Sequence, residues 1–193
     1  MARNVEIKAR IKSIESILPK VAAIADKGPV EINQDDTFFA CRNGRLKLRV
    51  VSPGQGELIF YRRSDQTGPK ESFYLVYPTT APDVLRESLS LAYGEVGRVR
   101  KKRTLFHMGR TRIHLDRVEN LGTFLELEVV LTEEEEVQIG AAIAQDLIAK
   151  LGILPDQLID GAYVDLISQE MSIEALQQIS ETMTPDELSD RPS

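Results

Sequence analysis

A single cysteine, Cys41, stands in a chain of 193 residues, which excludes an internal disulfide framework. No apolar run approaches the roughly 18 residues that a membrane-spanning helix needs, so a transmembrane reading fails. The opening "MARNVEIKAR" has neither the apolar core of a secretory signal nor a transit-peptide composition. These absences point to a reducing, cytoplasmic setting. A positive excess is missing as well: the formal net charge is −6, which argues against electrostatic nucleic-acid binding and leaves a small molecule as the expected partner. The glycine pair of "SPGQGE", Gly54 and Gly56, lacks the Lys-Ser/Thr of a Walker loop and reads as a hairpin turn.

What is present is ordinary for a globular protein, with 42% hydrophobic and 28% charged residues. The acidic excess lies at the end. From Gln169 onward there are six acids and one base, so the rest of the chain is nearly neutral. We expect residues 169–193 to be an acidic appendage, with one short helix near Ser172–Ile179 followed by disorder. Any strong field within 1–168 must then come from local sorting of charge.

The strands show that sorting. Val5 to Ile11 alternates Glu6, Lys8 and Arg10 against Val5, Ile7 and Ala9, and "GRLKLRV" alternates Arg45, Lys47 and Arg49 against Leu46, Leu48 and Val50. Further strands are expected at Thr37–Arg42, Glu57–Arg63, Glu71–Tyr77 and Val99–His107, in two strands across Arg110–Val130, and in a closing "GAYVDLI". Helices are expected at Ser13–Ala25, where Pro19 should kink or end the first turn, at Pro82–Tyr93, and over "TEEEEVQIGAAIAQDLIAKLG" with Thr132 as N-cap and Glu135 as its capping-box partner. The order is that of an α+β protein with a curled or closed antiparallel sheet. One wet strand face is usually only solvated. Here charge repeats on at least four strands and separates by sign, with Lys47, Arg49, Arg62, Lys101, Arg103 and Arg112 in the middle strands and Glu6, Asp116, Glu126 and Glu128 toward the ends. In "RVRKKRT" parity leaves Lys101 with Arg103 or Arg100 with Lys102 open. Guanidinium forks and ammonium groups suit a polyanion, and neighbouring carboxylates suit Mg²⁺ or Mn²⁺. Closing the sheet would bring both sets into one metal and polyphosphate site. Read as a ring of crowded cations, the bases should repel one another, so that Arg49→Ala or Arg112→Ala leaves stability unchanged or raised.

The motifs "VEIKAR", "GRLKLR", "LIFYRR", "RKKRTLF", "RIHLDRVENLGTFLELE" and "AYVDLI" resemble the CYTH domain of the triphosphate tunnel metalloenzyme superfamily, in its class IV adenylate cyclase-like branch. The resemblance spans about Val5 to Ser168. It implies a closed eight-stranded antiparallel β-barrel with flanking helices, a polar lumen for a triphosphate, and Mg²⁺ or Mn²⁺ as cofactor. The family's E-x-E-x-K falls on Asn4, Glu6 and Lys8, so its first acid is here an amide. By the same resemblance Glu6, Asp116, Glu126 and Glu128 would hold metal. Lys8, Lys47, Arg49, Arg62, Lys101, Arg103 and Arg112 would hold phosphate, with Lys101 and Arg103 chosen by motif register. Glu6, Lys8 and His114 would be catalytic, His114 in a catalytic or orienting role. The implied reaction is conversion of ATP to cyclic AMP and pyrophosphate. The alternative is hydrolysis of inorganic, thiamine or nucleoside triphosphate, and a third reading, motivated by Asn4, is polyphosphate or nucleotide binding without turnover. Neither nucleic acid nor membrane is an expected partner, and a homodimer is admitted.

Overall fold

The structure is a computed structural model that describes residues 2–63 and 65–182. In chain order the elements are β1 (Ala2–Arg10), α1 (Ile14–Ile24), β2 (Lys27–Phe39), β3 (Arg45–Ser52), β4 (Gln55–Arg63), β5 (Lys70–Thr79), α2 (Pro82–Tyr93), β6 (Glu95–Met108), β7 (Thr111–Val118), β8 (Gly122–Leu131), α3 (Val137–Leu151), β9 (Leu158–Ile159) and α4 (Tyr163–Thr182). Strands pair in the order β5-β4-β3-β2-β6-β7-β8-β1, and β1 also pairs with β5, closing an eight-stranded antiparallel barrel. The two-residue β9 adds to β1 through Lys8 and Ala9.

Alternation decides which side of the wall each residue takes. On β1, β7 and β8 the apolar positions point outward and form the main core with α1 and α3: Val5, Ile7 and Ala9, then Ile113 and Leu115, then Leu125, Leu127 and Val129. Ile17 and Val21 of α1 and Ala144, Leu147 and Leu151 of α3 cover them. Gly140 permits that approach, because a Cβ there would stand 2.7 Å from Leu131 and 2.8 Å from Val5. The charged positions of the same strands point into the lumen.

Three local expectations change. Pro19 lies inside α1, and the helix continues to Ile24 behind a Ser13 cap that accepts from the Ser16 N–H at 3.2 Å. The third helix begins at Val137 instead of after Thr132. Its acidic run is a separate turn in which the Glu135 carboxylate accepts from the Thr132 N–H at 3.2 Å, while Arg3 takes the Glu133 carbonyl at 2.9 Å and Arg110 grips Glu135. Finally, "GAYVDLI" is not a strand: α4 starts within it, with Asp165 accepting from the Ala162 N–H at 2.8 Å, one half of a capping box. The short helix expected near Ser172–Ile179 lies within α4, which crosses residue 168, and the expected disorder falls mainly on 183–193, outside the described residues.

Candidate active site

The barrel encloses a cavity of about 270 Å³ whose lining includes seven cationic side chains and five carboxylates. The carboxylates concentrate on one wall. Glu6 of β1 sits directly across from Glu128 of β8, and Lys8 across from Glu126. Glu126 accepts from Arg103 at 2.7 Å and lies 3.2 Å from the Lys8 ammonium, and Glu128 lies 2.8 Å from Arg112. Burial would raise both carboxyl pKa values. For Glu126, Lys8, the His114 hydrogen bond and Arg103 together outweigh it, and for Glu128, His114, Arg112 and Arg103 do, so both pKa values fall below the usual range.

His114 stands behind these two acids, its Nδ1 3.3 Å from Glu126 and 3.8 Å from Glu128. Its Nε2 is 3.4 Å from an Arg103 nitrogen. Arginine can only donate, so Nε2 accepts and Nδ1–H is directed at Glu126. Burial and the Arg103 charge lower the pKa of the imidazole. In this arrangement His114 orients a carboxylate.

Asp116 lies deeper, with no exposed surface, and does not line the cavity. Arg103 grips both its oxygens at 2.7 Å, Lys101 is at 3.3 Å, and the Tyr163 hydroxyl donates to it at 3.0 Å. It therefore anchors the bases of β6 from below. Of the four acids expected to hold metal, Glu126 and Glu128 converge with His114, offering ligand atoms within 4.8 Å of one another. Each of the four has basic partners, Glu6 with Arg63 and Asp116 with Arg103 and Lys101, and only Asp116 is shut away from the cavity. Two ionised carboxylates oriented by a histidine fit a hard divalent cation with oxygen preference.

The opposite wall carries the bases. Lys47, Arg49, Lys101 and Arg103 all face the lumen, whereas Arg100 reaches outward to Asp35 and Glu119. A buried acid absent from the sequence reading, Asp36 of β2, accepts from Lys47 at 2.7 Å and from Arg49 at 2.8 and 2.9 Å. Burial would raise its pKa, but Arg49 and Lys47 hold it well below the carboxylate range. Lys47, Arg49, Lys101 and Arg103 are thus paired with acids, so the crowded ring expected from sequence is compensated locally by Asp36 and Asp116. Burial, reinforced by Arg49, lowers Lys47 to about 8, and burial with Arg103 lowers Lys101 to about 7.

Arg62 is not in the lumen. It is exposed on the outer face, 5.7 Å from the Phe73 ring, while its neighbour Arg63 lines the cavity and reaches Glu6 and the Gly161 carbonyl. The inward positions of β4 are Glu57, Ile59, Tyr61 and Arg63, so the odd residue of "YRR" is the inner one. Tyr163, the first residue of α4, was also missed, because it enters from a helix and carries no strand parity. Lys8 lies 4.1 Å from the centre of its ring.

A closed barrel whose lumen carries seven cationic side chains and a convergent carboxylate pair has the chemistry to hold a polyanion together with a cation. The chain belongs to the CYTH domain family, whose pattern matches residues 2–163. It is 24% identical over 178 residues to adenylate cyclase CyaB of Aeromonas hydrophila, covering 88% of this chain and 91% of that protein. The structure of PH1012 protein from Pyrococcus horikoshii OT3 matches with TM-score 0.76 at 24% identity, over 85% of this chain and 99% of the other. A Hippeastrum protein described as an adenylyl cyclase with a dominant triphosphatase activity matches with TM-score 0.61 at 17% identity, over 86% and 96%.

Proposed function

We propose that this chain is a divalent-metal-dependent enzyme that acts on a triphosphate held in the barrel, with ATP cyclisation as the leading reaction. The observation that carries the reading is the convergence of a base wall and the Glu126–Glu128 pair on one cavity of about 270 Å³. Pockets for drug-sized ligands are typically about 300–1,000 Å³, so the lumen suits a triphosphate chain with any nucleoside toward the mouth. Lys8, Lys47, Arg49, Lys101, Arg103 and Arg112 would take the phosphate oxygens in charge-assisted contacts, exchanging carboxylate partners for phosphate. Mg²⁺ or Mn²⁺ at Glu126 and Glu128 would supply charge neutralisation at phosphate and at the departing oxygen. In cyclisation the ribose 3′-oxygen forms a bond to the α-phosphorus, the bond from that phosphorus to the β-bridging oxygen breaks to release pyrophosphate, and the hydroxyl proton passes to water at the mouth of the lumen. Glu6 and Lys8, on the strand facing Glu126 and Glu128, are the proposed groups beside that transfer, and His114 keeps Glu126 in place.

The second reading, hydrolysis of a triphosphate, is favoured by the cavity volume itself, since inorganic triphosphate would need nothing beyond the lumen. The proposed setting is the cytoplasm, with a soluble small molecule as partner and neither nucleic acid nor membrane. Incubation with ATP and with inorganic triphosphate, under Mg²⁺ or Mn²⁺ and under chelator, separates the outcomes. Cyclic AMP with pyrophosphate identifies the cyclase, orthophosphate the hydrolase. Glu126→Gln and Glu128→Gln should each reduce turnover roughly a hundredfold or more while the chain stays folded. No product from either substrate, or full turnover in chelator, overturns the proposal.

A further inference from the structure

We infer that the outer face of β6 carries a second anion site, separate from the lumen, for a small molecule bearing a chain of phosphates. Of the bases in "RVRKKRT" the lumen takes Lys101 and Arg103, and the outward Arg98, Arg100 and Lys102 have no part in it. They line an open cleft of about 840 Å³ together with Arg117 of β7 and Arg86 of α2. Lys101 aside, whose ammonium turns inward to Asp116, five cationic side chains meet three carboxylates there, in a chain whose net charge is −6.

The strand register leaves these bases short of partners. Lys102 stands directly across from Arg117 on one side and from Asn33 on the other, and like charges directly opposite destabilise a sheet. Among the described residues Lys102 has no ion pair, and Arg117 reaches Glu15 alone, at 3.0 Å. Arg100 lies 3.7 Å from Asp35 and 3.6 Å from Glu119, beyond hydrogen-bond reach of either. Asp35 is taken by Arg98, which grips it at 2.7 and 2.6 Å. On the α2 side of the cleft the Arg86 Nε is buried without a hydrogen-bond partner, and buried donors are nearly always satisfied. An oxyanion among Arg100, Lys102 and Arg117 would relieve the repulsion and supply the missing acceptors. Arg100 and Lys102 are alternate strand positions, roughly 7 Å apart, so a chain of two or three phosphates meets both. Val50, Val51 and Pro53 give the cleft an apolar side against which a nucleoside would lie. A nucleotide and a free oligophosphate share the chemistry that this cleft recognises.

Calorimetric titration of the full chain in chelator, with tripolyphosphate and with ADP as separate probes, tests the site without turnover. Two sites are expected for tripolyphosphate. Arg100→Gln with Lys102→Gln should weaken one of them roughly tenfold or more and spare the other, whereas Arg49→Ala should do the reverse. Thermal unfolding shows that each variant is folded, and should the double substitution fail to fold, Lys102→Gln alone decides. ADP binding that is lost with Arg100 and Lys102 makes a nucleotide the occupant, and tripolyphosphate binding alone makes it a free phosphate chain. A single site that survives Arg49→Ala and is lost with Arg100 and Lys102 would leave the inference standing and remove the lumen from anion binding. Titrations unchanged by the double substitution, or binding of a short RNA but of neither probe, overturn the inference.

Discussion

The wall made by β1, β7 and β8 is backed on its outer side by the apolar core with α1 and α3, whereas β5 is open on its outer side. Behind Glu126 and Glu128 stand Leu125, Leu127 and Val129, all without exposed surface. On β5 the outward Leu75 and Tyr77 are 49% and 70% exposed. The difference follows the charge inside. Glu6, Glu126 and Glu128 bring like charges together, which an apolar core and two helices behind the strands hold at fixed spacing. The bases of β3 are each matched locally by Asp36, and the exposed outer positions lie on β5.

The contrast can be tested from its largest effect down. Arg103→Ala would strip Asp116 of its two-pronged partner in a fully buried place, costing about 3–5 kcal/mol of stability. Urea unfolding should show this, and a loss no greater than that of Arg112→Ala, whose side chain is 31% exposed, would mean that Asp116 reaches solvent. Leu127→Ala, in the backed wall, should cost about 2–5 kcal/mol by cavity formation. Leu75→Ala, in the open wall, should stay within about 0.5 kcal/mol. Equal losses at the two leucines would erase the distinction between the walls.

The base wall also carries a pH signature. Lys47 and Lys101 are lowered to about 8 and about 7 from an ordinary 10.5. In the empty protein the unfolded chain therefore binds more protons from about pH 7 up to 10.5, and this contribution to stability rises with pH across that window. A bound polyanion favours the charged lysines and reverses the preference. The thermal shift given by tripolyphosphate should accordingly shrink between pH 7 and pH 9. An unchanged shift would place both lysines outside the anion site.

Much of this was legible in the chain. The alternations in "VEIKAR", "GRLKLR" and "RIHLDR" put Glu6, Lys8, Lys47, Arg49, Arg112 and His114 on inward faces, and the family motif selected Lys101 and Arg103, the two of that strand that line the cavity. The failures have local causes. "YRR" offers two arginines on opposite faces, and only the β4 register selects Arg63. Asp36 lies beside Asp35 in a stretch without clean alternation, and its importance appears only when Arg49 is paired directly across from it. The compensation of the base ring by Asp36 and Asp116 was hidden too, since which acid meets which base depends on strand neighbours distant in sequence. The start of α4 depends on Asp165 reaching back to the Ala162 N–H, a contact that the apolar "AYV" conceals.

The double partnership of β1 governs when the site can exist. Arg3 pairs with Phe73 and Leu131, so the barrel's first strand is the last to be fully partnered, waiting until β8 has been made. Until then Glu6 and Lys8 lack the strand that carries Glu126 and Glu128. Closing so long a loop is entropically slow, and such topologies fold through late, cooperative steps. A chain stalled before β8 would lack both the barrel and any trace of its metal site, so no active fragment would be released during synthesis.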